Sequence, residues 1–214
     1  MAVSVLVAVG NIADDLVSAI SSRMATLKIG PGTDPSSQMG PLITKEHRDR
    51  VASYVAGAED EGATVVVDGR SQQFDSDGFF IGVSLVDHVK PGMKVYDDEI
   101  FGPVLSVVRA DSYSDAVRLV NDNEFGNGVA IFTRDGGAAR QFEFDVEAGM
   151  VGVNVPIPVP VGTFSFGGWK NSLFGDLHVH GIEGVKFYTR TKVVTARWPH
   201  QDTPAPGFNM PTLG

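Results

Sequence analysis

Two rhythms of apolar and polar positions divide this chain. Residues 2–9 are almost continuously apolar and read as core. From Asn11, a possible helix cap, Leu16, Val17, Ile20, Met24 and Leu27 recur at helical spacing until Gly30-Pro31-Gly32 ends the helix. A stretch rich in turn formers follows over residues 33–42. Thr44 then opens a second helix with Val51, Tyr54, Val55 and Ala58 as its buried stripe and Gly62 as its stop. Beyond it the pattern changes to short apolar runs at residues 64–67, 79–86, 104–110, 128–133 and 150–155. Helical stretches fit between several of them, at 112–121 (Ala116, Val117, Val120 on one face) and at 137–146 (Ala138, Phe142, Val146). Such alternation predicts an α/β fold, a mostly parallel sheet flanked by crossover helices. Residues 185–197 alternate in the manner of a half-exposed strand, and the proline-rich residues after Trp198 read as a surface tail.

Composition narrows the function classes. With 214 residues, 43% apolar and 20% charged, the chain can bury a real core and is not expected to be disordered. Its 26 acidic against 17 basic residues, a net charge of -9, repel phosphate backbones and anionic lipid, so neither nucleic acid nor a membrane is expected as a partner. No run approaches the roughly 20 apolar residues of a membrane helix. The apolar start is not read as a secretion signal, because no basic residue precedes it and Asp14 and Asp15 follow closely. The expected compartment is the cytoplasm, or an organelle matrix such as the mitochondrial one. The chain has no cysteine, so it carries no disulfide, no thiolate metal site and no thiol nucleophile of its own.

Familiar site signatures are mostly missing. There is no glycine fingerprint of a self-contained dinucleotide-binding unit, no phosphate-binding loop and no serine on a nucleophile elbow. His178 and His180 lack a third ligand at plausible spacing and read as packing or surface residues, so no metal is expected. Two stretches stand out. In Asp97-Asp98-Glu99-Ile100-Phe101-Gly102-Pro103-Val104 a carboxylate and an aromatic ring sit together at a strand entrance, a pair suited to a ribose and its base; the competing reading is an acidic turn with Phe101 in the core. Residues 162–172 form a glycine-aromatic loop, either a close-approach ligand loop or one packed by its own rings.

Glu99-Ile100-Phe101-Gly102-Pro103, then Gly149-Met150-Val151-Gly152-Val153-Asn154, then Phe166-Gly167-Gly168-Trp169-Lys170-Asn171-Ser172 resemble, in order and spacing, three motifs of the aldehyde dehydrogenase family. Met39-Gly40-Pro41-Leu42-Ile43, Ser165 where most relatives have proline, Gly175-Asp176-Leu177-His178 and the residues 185–192 are similar to its CoA-acylating methylmalonate-semialdehyde subgroup, and the likeness runs to about Pro199. The resemblance implies the C-terminal part of such an enzyme: residues 1–184 as a catalytic-domain-like α/β unit, 185–199 as an oligomerisation strand and 200–214 as a surface tail. It implies thiol-based oxidation of the aldehyde with NAD as hydride acceptor, then CoA cleavage of the thioester with loss of carbon dioxide. By the match, Glu99 binds the nicotinamide ribose, Phe101 packs beside the nicotinamide, and Asn154, Phe164 and Phe166 line the substrate tunnel.

In the subgroup the nucleophilic cysteine precedes a Met-Ala pair leading into an apolar helix, so it is expected just before Met1, with the cofactor domain and the carboxylate-binding arginines farther upstream. The isolated chain is therefore expected to be inactive and to bind neither NAD nor CoA tightly. Its expected partners are a second copy through residues 185–197, or a full-length or N-terminal relative. Two other readings stand beside truncation: a non-catalytic assembly module, and one chain of a split enzyme.

Overall fold

The structure is a computed structural model that describes residues 2–75, 77–196 and 198. Strand β1 (Val5–Val9) leads through a 3-10 turn into helix α1 (Ala13–Met24), and α2 (Lys45–Gly57) precedes β2 (Thr64–Val67) and β3 (Ser84–Asp87). The short α3 (Lys94–Asp97), β4 (Val104–Ala110) and α4 (Tyr113–Asp122) follow, then β5 (Phe125–Gly126), β6 (Gly128–Ile131) and α5 (Gly136–Asp145). The last elements are β7 (Met150–Val153), β8 (Trp169–Lys170) and α6 (Gly181–Phe187).

The main sheet runs β1-β4-β3-β2, with β1, β4 and β3 parallel and β2 antiparallel at the edge. Parallel strands buried on both faces need apolar side chains on both, and all four residues of β3 are buried. Alternate side chains then go opposite ways. Val86, Val104 and Val108 join Val51, Val55 and Ala58 of the α2 segment, while Leu85 and Val107 meet Ala8 and Ala13 with Leu16, Val17, Ile20 and Met24 of α1 packed against them. Each fully buried Val or Leu contributes about 1.5–3 kcal/mol, so these two layers hold the domain together. Buried polar atoms are satisfied: Ser84 Oγ accepts from Gly69 N at 3.0 Å and Ser106 Oγ donates to Val95 O at 3.0 Å.

One ion cluster ties α1, β3 and β4. Arg109 donates to both oxygens of Asp87, at 3.2 and 2.6 Å, and reaches Asp14 at 2.8 Å, while His88 N donates to Asp87 at 2.7 Å. Burial pushes the Asp87 carboxyl up, but the Arg109 and His88 hydrogen bonds outweigh it and leave the group below the ordinary aspartate range.

A second assembly holds β6 parallel to β7 and β5 antiparallel to β8. Its hub is the end of α4. Lys170 Nζ donates to Asn121 O at 2.6 Å and Asn123 O at 3.1 Å and pairs with Glu147 at 3.3 Å. A cation at a helix C-terminus satisfies orphan carbonyls and the helix dipole together. The Asn121 amide meanwhile bonds Asp145 O and Glu147 N, both at 2.8 Å, joining α5 to the hub.

Residues 64–67 and 104–110 form strands with the predicted bounds, and Thr44 and Ser112 cap their helices through side-chain oxygens. The opening segment differs from expectation: it enters no apolar helix but strand β1, because Val5, Val7 and Val9 are β-branched and find a ladder partner in β4. Asn11 caps nothing with its side chain, since it lies inside the 3-10 turn and α1 begins two residues later. The predicted 79–86 strand shrinks to β3, with Phe79 making only an isolated bridge to Leu42.

Residues 185–187 end α6 instead of opening the predicted 185–197 strand, and among the described residues 188–196 pair with no strand; the expected pairing is with another subunit, which a single chain does not contain. Lys186 pairs with Glu183 one turn back and Thr189 Oγ1 donates to Val185 O, so local bonds hold the helix instead. Arg197 and residues 199–214, including the predicted tail, lie outside the described residues.

Two substitutions test these clamps. A carboxyl with a depressed folded pKa stabilises the fold above its unfolded value, near 3.9, and that contribution is lost as the pH falls through the folded one. Asp87→Asn is therefore expected to lose about 2–3 kcal/mol at neutral pH, less than a fully buried pair because Arg109 is partly open to water, and to flatten the acid limb of the Tm-against-pH curve. A variant whose acid limb matches the parent would refute this. Lys170→Met is expected to cost about 1–2 kcal/mol and to speed hydrogen exchange at residues 121–123 and 168–172; unchanged exchange there would refute the hub.

Candidate functional site

The loop between α3 and β4 is built to show two side chains and hide the rest. Ile100 is buried in the α2-side core, and Gly102 lies so close to Val51 that a Cβ there would come within 2.5 Å of Val51 Cγ2. Pinned on both sides, Phe101 adopts φ of 56°, a left-handed conformation costing a phenylalanine about 1–2 kcal/mol. Phe101 is 76% exposed, so its core reading is excluded. Glu99 is exposed too and, among the described residues, makes no hydrogen bond or ion pair, leaving both oxygens open to a ligand.

Helix α2 holds this loop from behind. His47 Nε2 donates to Phe101 O at 2.8 Å, and Tyr54 OH donates to Asp98 Oδ2 at 2.8 Å. Donation to that carboxylate raises the Tyr54 phenol above its ordinary range. Val51 and Tyr54 belong to the predicted buried stripe; His47, one turn earlier on the same stripe, was not singled out, although its four-residue spacing from Val51 is the signal that could have found it.

Asn154 sits just past β7, also left-handed with φ of 56°. Its Oδ1 accepts from Thr133 N at 2.9 Å, its Nδ2 donates to Thr133 O at 3.1 Å, and its backbone N donates to Ile131 O at 2.8 Å. The amide therefore clasps the peptide that follows β6, extending the β6–β7 ladder. C-terminal ends of parallel strands are where α/β folds bind ligands, and this clasp shapes that end.

The glycine-aromatic loop packs against the segment that follows it, residues 178–180, rather than on its own rings. Ser165 Oγ and His178 Nδ1 lie 2.6 Å apart, Val179 N donates to Phe166 O, and the Phe166 ring rests 5.2 Å from that of His180. Gly167 faces the His178 ring so closely that a Cβ would come within 2.6 Å of it. Phe166 is half-buried and Phe164 is 64% exposed. The packing reading of His178 and His180 agrees with these contacts, whereas the motif reading did not place Ser165 as a partner of His178. Among the described residues no hydrogen bond or salt bridge joins Glu99 or Phe101 to Asn154, Phe164 or Phe166: the first two stand on the main sheet, the other three on the second assembly.

The described residues gather no group of three or more His, Asp or Glu that could hold a metal ion. No helix among them is long and apolar enough to cross a membrane.

The model of the "Aldehyde dehydrogenase family" matches residues 1–194. A malonate-semialdehyde dehydrogenase of Pseudomonas aeruginosa is 52% identical over 217 residues, covering 100% of this chain and 44% of that protein. The crystal structure of a methylmalonate-semialdehyde dehydrogenase from Oceanimonas doudoroffii is 54% identical with a TM-score of 0.88, covering 92% of this chain and 41% of that one. A Sinorhizobium meliloti 1021 protein described as a methylmalonate-semialdehyde dehydrogenase, solved in complex with NAD, is 51% identical with a TM-score of 0.89, covering 93% and 41%. The expectation of a C-terminal part is narrowed by these matches to a partial chain, somewhat over two-fifths of the length of its relatives. The chain belongs to the aldehyde dehydrogenase family, a family of oxidoreductases.

Proposed function

We propose that this chain forms the catalytic-domain portion of an NAD-dependent, CoA-acylating dehydrogenase of malonate or methylmalonate semialdehyde. The observation that carries the reading is the Glu99–Phe101 loop, a free carboxylate and an exposed ring on a backbone held rigid from beneath. The names of the similar proteins support the substrate class and the order of the three motifs supports the domain. The residues fit the cofactor: Glu99 offers two unengaged oxygens to ribose hydroxyls, and Phe101 offers a face to the nicotinamide side. NAD, when bound, supplies the hydride acceptor, and CoA the acyl acceptor. The Asn154 clasp keeps the strand end open toward a substrate tunnel that Phe164 and Phe166 wall with apolar surface.

The thiol that attacks the aldehyde comes from outside these 214 residues, which contain no cysteine. The pocket that separates malonate from methylmalonate semialdehyde judges a single methyl, about 1–3 kcal/mol. Assembly belongs to the same proposal: the 185–197 segment, with Val185, Phe187, Tyr188, Val193 and Val194 all exposed, meets another polypeptide, a second copy or the cysteine-bearing part. That exposed side also favours a second reading, a non-catalytic assembly module.

The purified chain mixed with malonate semialdehyde, NAD and CoA is expected to form no NADH. Addition of a cysteine-bearing, cofactor-binding half of a malonate-semialdehyde dehydrogenase is expected to restore CoA-dependent turnover, with Glu99→Gln raising the KM for NAD by about tenfold. NADH formation by the chain alone would overturn the division of labour. Failure of the mixture, with a stable complex formed, would favour the assembly module.

A further inference from the structure

The face of α2 that touches the Glu99–Phe101 loop is more specific than a packing surface. His47, Arg50, Val51 and Tyr54 recur at helical spacing and therefore share one side of the helix. Three of them contact the loop: His47 at the Phe101 carbonyl, Val51 against Gly102, and Tyr54 at the Asp98 carboxylate. Arg50 contacts His47 itself, its Nη2 lying 3.2 Å from Nδ1. A guanidinium only donates and a carbonyl only accepts, so both contacts are hydrogen bonds for one tautomer alone, with the proton on Nε2 and a lone pair on Nδ1. The first turn that carries His47 is fixed in turn, because His47 N donates to the Thr44 cap at 3.1 Å.

We propose that His47 is a positioning residue for the candidate nicotinamide-ribose loop: held in its Nε2–H form by Arg50, it binds the Phe101 carbonyl and keeps that residue left-handed, so that Phe101 and Glu99 face the ligand together. Without this bond the loop relaxes toward an ordinary backbone conformation, which turns the Phe101 peptide and redirects the ring relative to Glu99. Val51 and Tyr54 fix the two ends of the loop, and His47 fixes its strained residue. The inference rests on reading this loop as the nicotinamide-ribose site.

The test uses the 15N-labelled 214-residue chain. Long-range proton–nitrogen correlation of the imidazoles is expected to show His47 with its proton on Nε2; a proton on Nδ1 overturns the proposal. Titration with nicotinamide mononucleotide is then expected to shift the Ile100 and Phe101 amides saturably. His47→Ala is expected to weaken that binding by about fivefold, the order of one hydrogen bond, while His47→Gln, whose amide reaches the same carbonyl, restores it to within about twofold. Arg50→Met, at an exposed position outside the core, provides a variant that keeps the fold and is expected to lose the tautomer preference. Parent-like affinity in a folded His47→Ala variant overturns the positioning role while leaving the ribose reading intact. Absence of any shift in the parent chain overturns the ribose reading, and with it the role given to His47, whatever the tautomer.

Discussion

Strands β3 and β4 have no face they can leave to water. Their side chains alternate between two apolar layers, so a helix must cover each side, and the sites of α1 and α2 follow from that demand. Once α2 lies over Val86, Val104 and Val108, the loop feeding β4 has to cross its N-terminal half. Ile100 then goes inward, Gly102 is pressed onto Val51, and Glu99 and Phe101 are left facing out. Core packing thus decides which two side chains the loop displays. The Arg109 cluster acts on the same strands from their other ends, tying α1 to β3 and β4 where apolar contact gives out.

In the second assembly the polar groups of motif residues bond to backbone or to one another within the fold. Lys170 closes the end of α4, Asn154 clasps Thr133, and Ser165 meets His178. A backbone N–H or carbonyl buried without a partner costs more than a hydrogen bond usually contributes, so such clasps are a strong local requirement. They let short two-residue and four-residue strands hold together where a long ladder is lacking. Among the rings here, Phe164 stays exposed and Phe166 half-buried.

Much of this was legible in the sequence because two signals are local. Short apolar runs marked β2 and β4 to the residue, and Thr44 before an apolar period marked the start of α2. Failures came where tertiary contact decides. Residues 2–9 are compatible with helix or strand until β4 is there to pair with β1, and the 79–86 run holds more apolar residues than the sheet has ladder for. The alternation at 185–197 did not become a strand within the described residues, where 185–187 end α6. The candidate site shows the same division: Glu99 and Phe101 were readable as a motif, but His47 was not, because its role exists only through a carbonyl 54 positions away.

Rigid display without cover has a physical consequence for binding. Ordering a loop at the moment of association opposes binding, and a loop already held by helix contacts avoids most of that loss. Phe101 is the sharper case, since its left-handed backbone is unfavourable in a free chain and here stands between a buried Ile100 and a Gly102 pressed on Val51, with His47 on its carbonyl. That strain makes little sense for a surface turn whose only task is to reach β4, where any residue pair of ordinary backbone would do. It fits the proposed role of the turn, in which a ring and a carboxylate are presented in one relative orientation to a nicotinamide ribose.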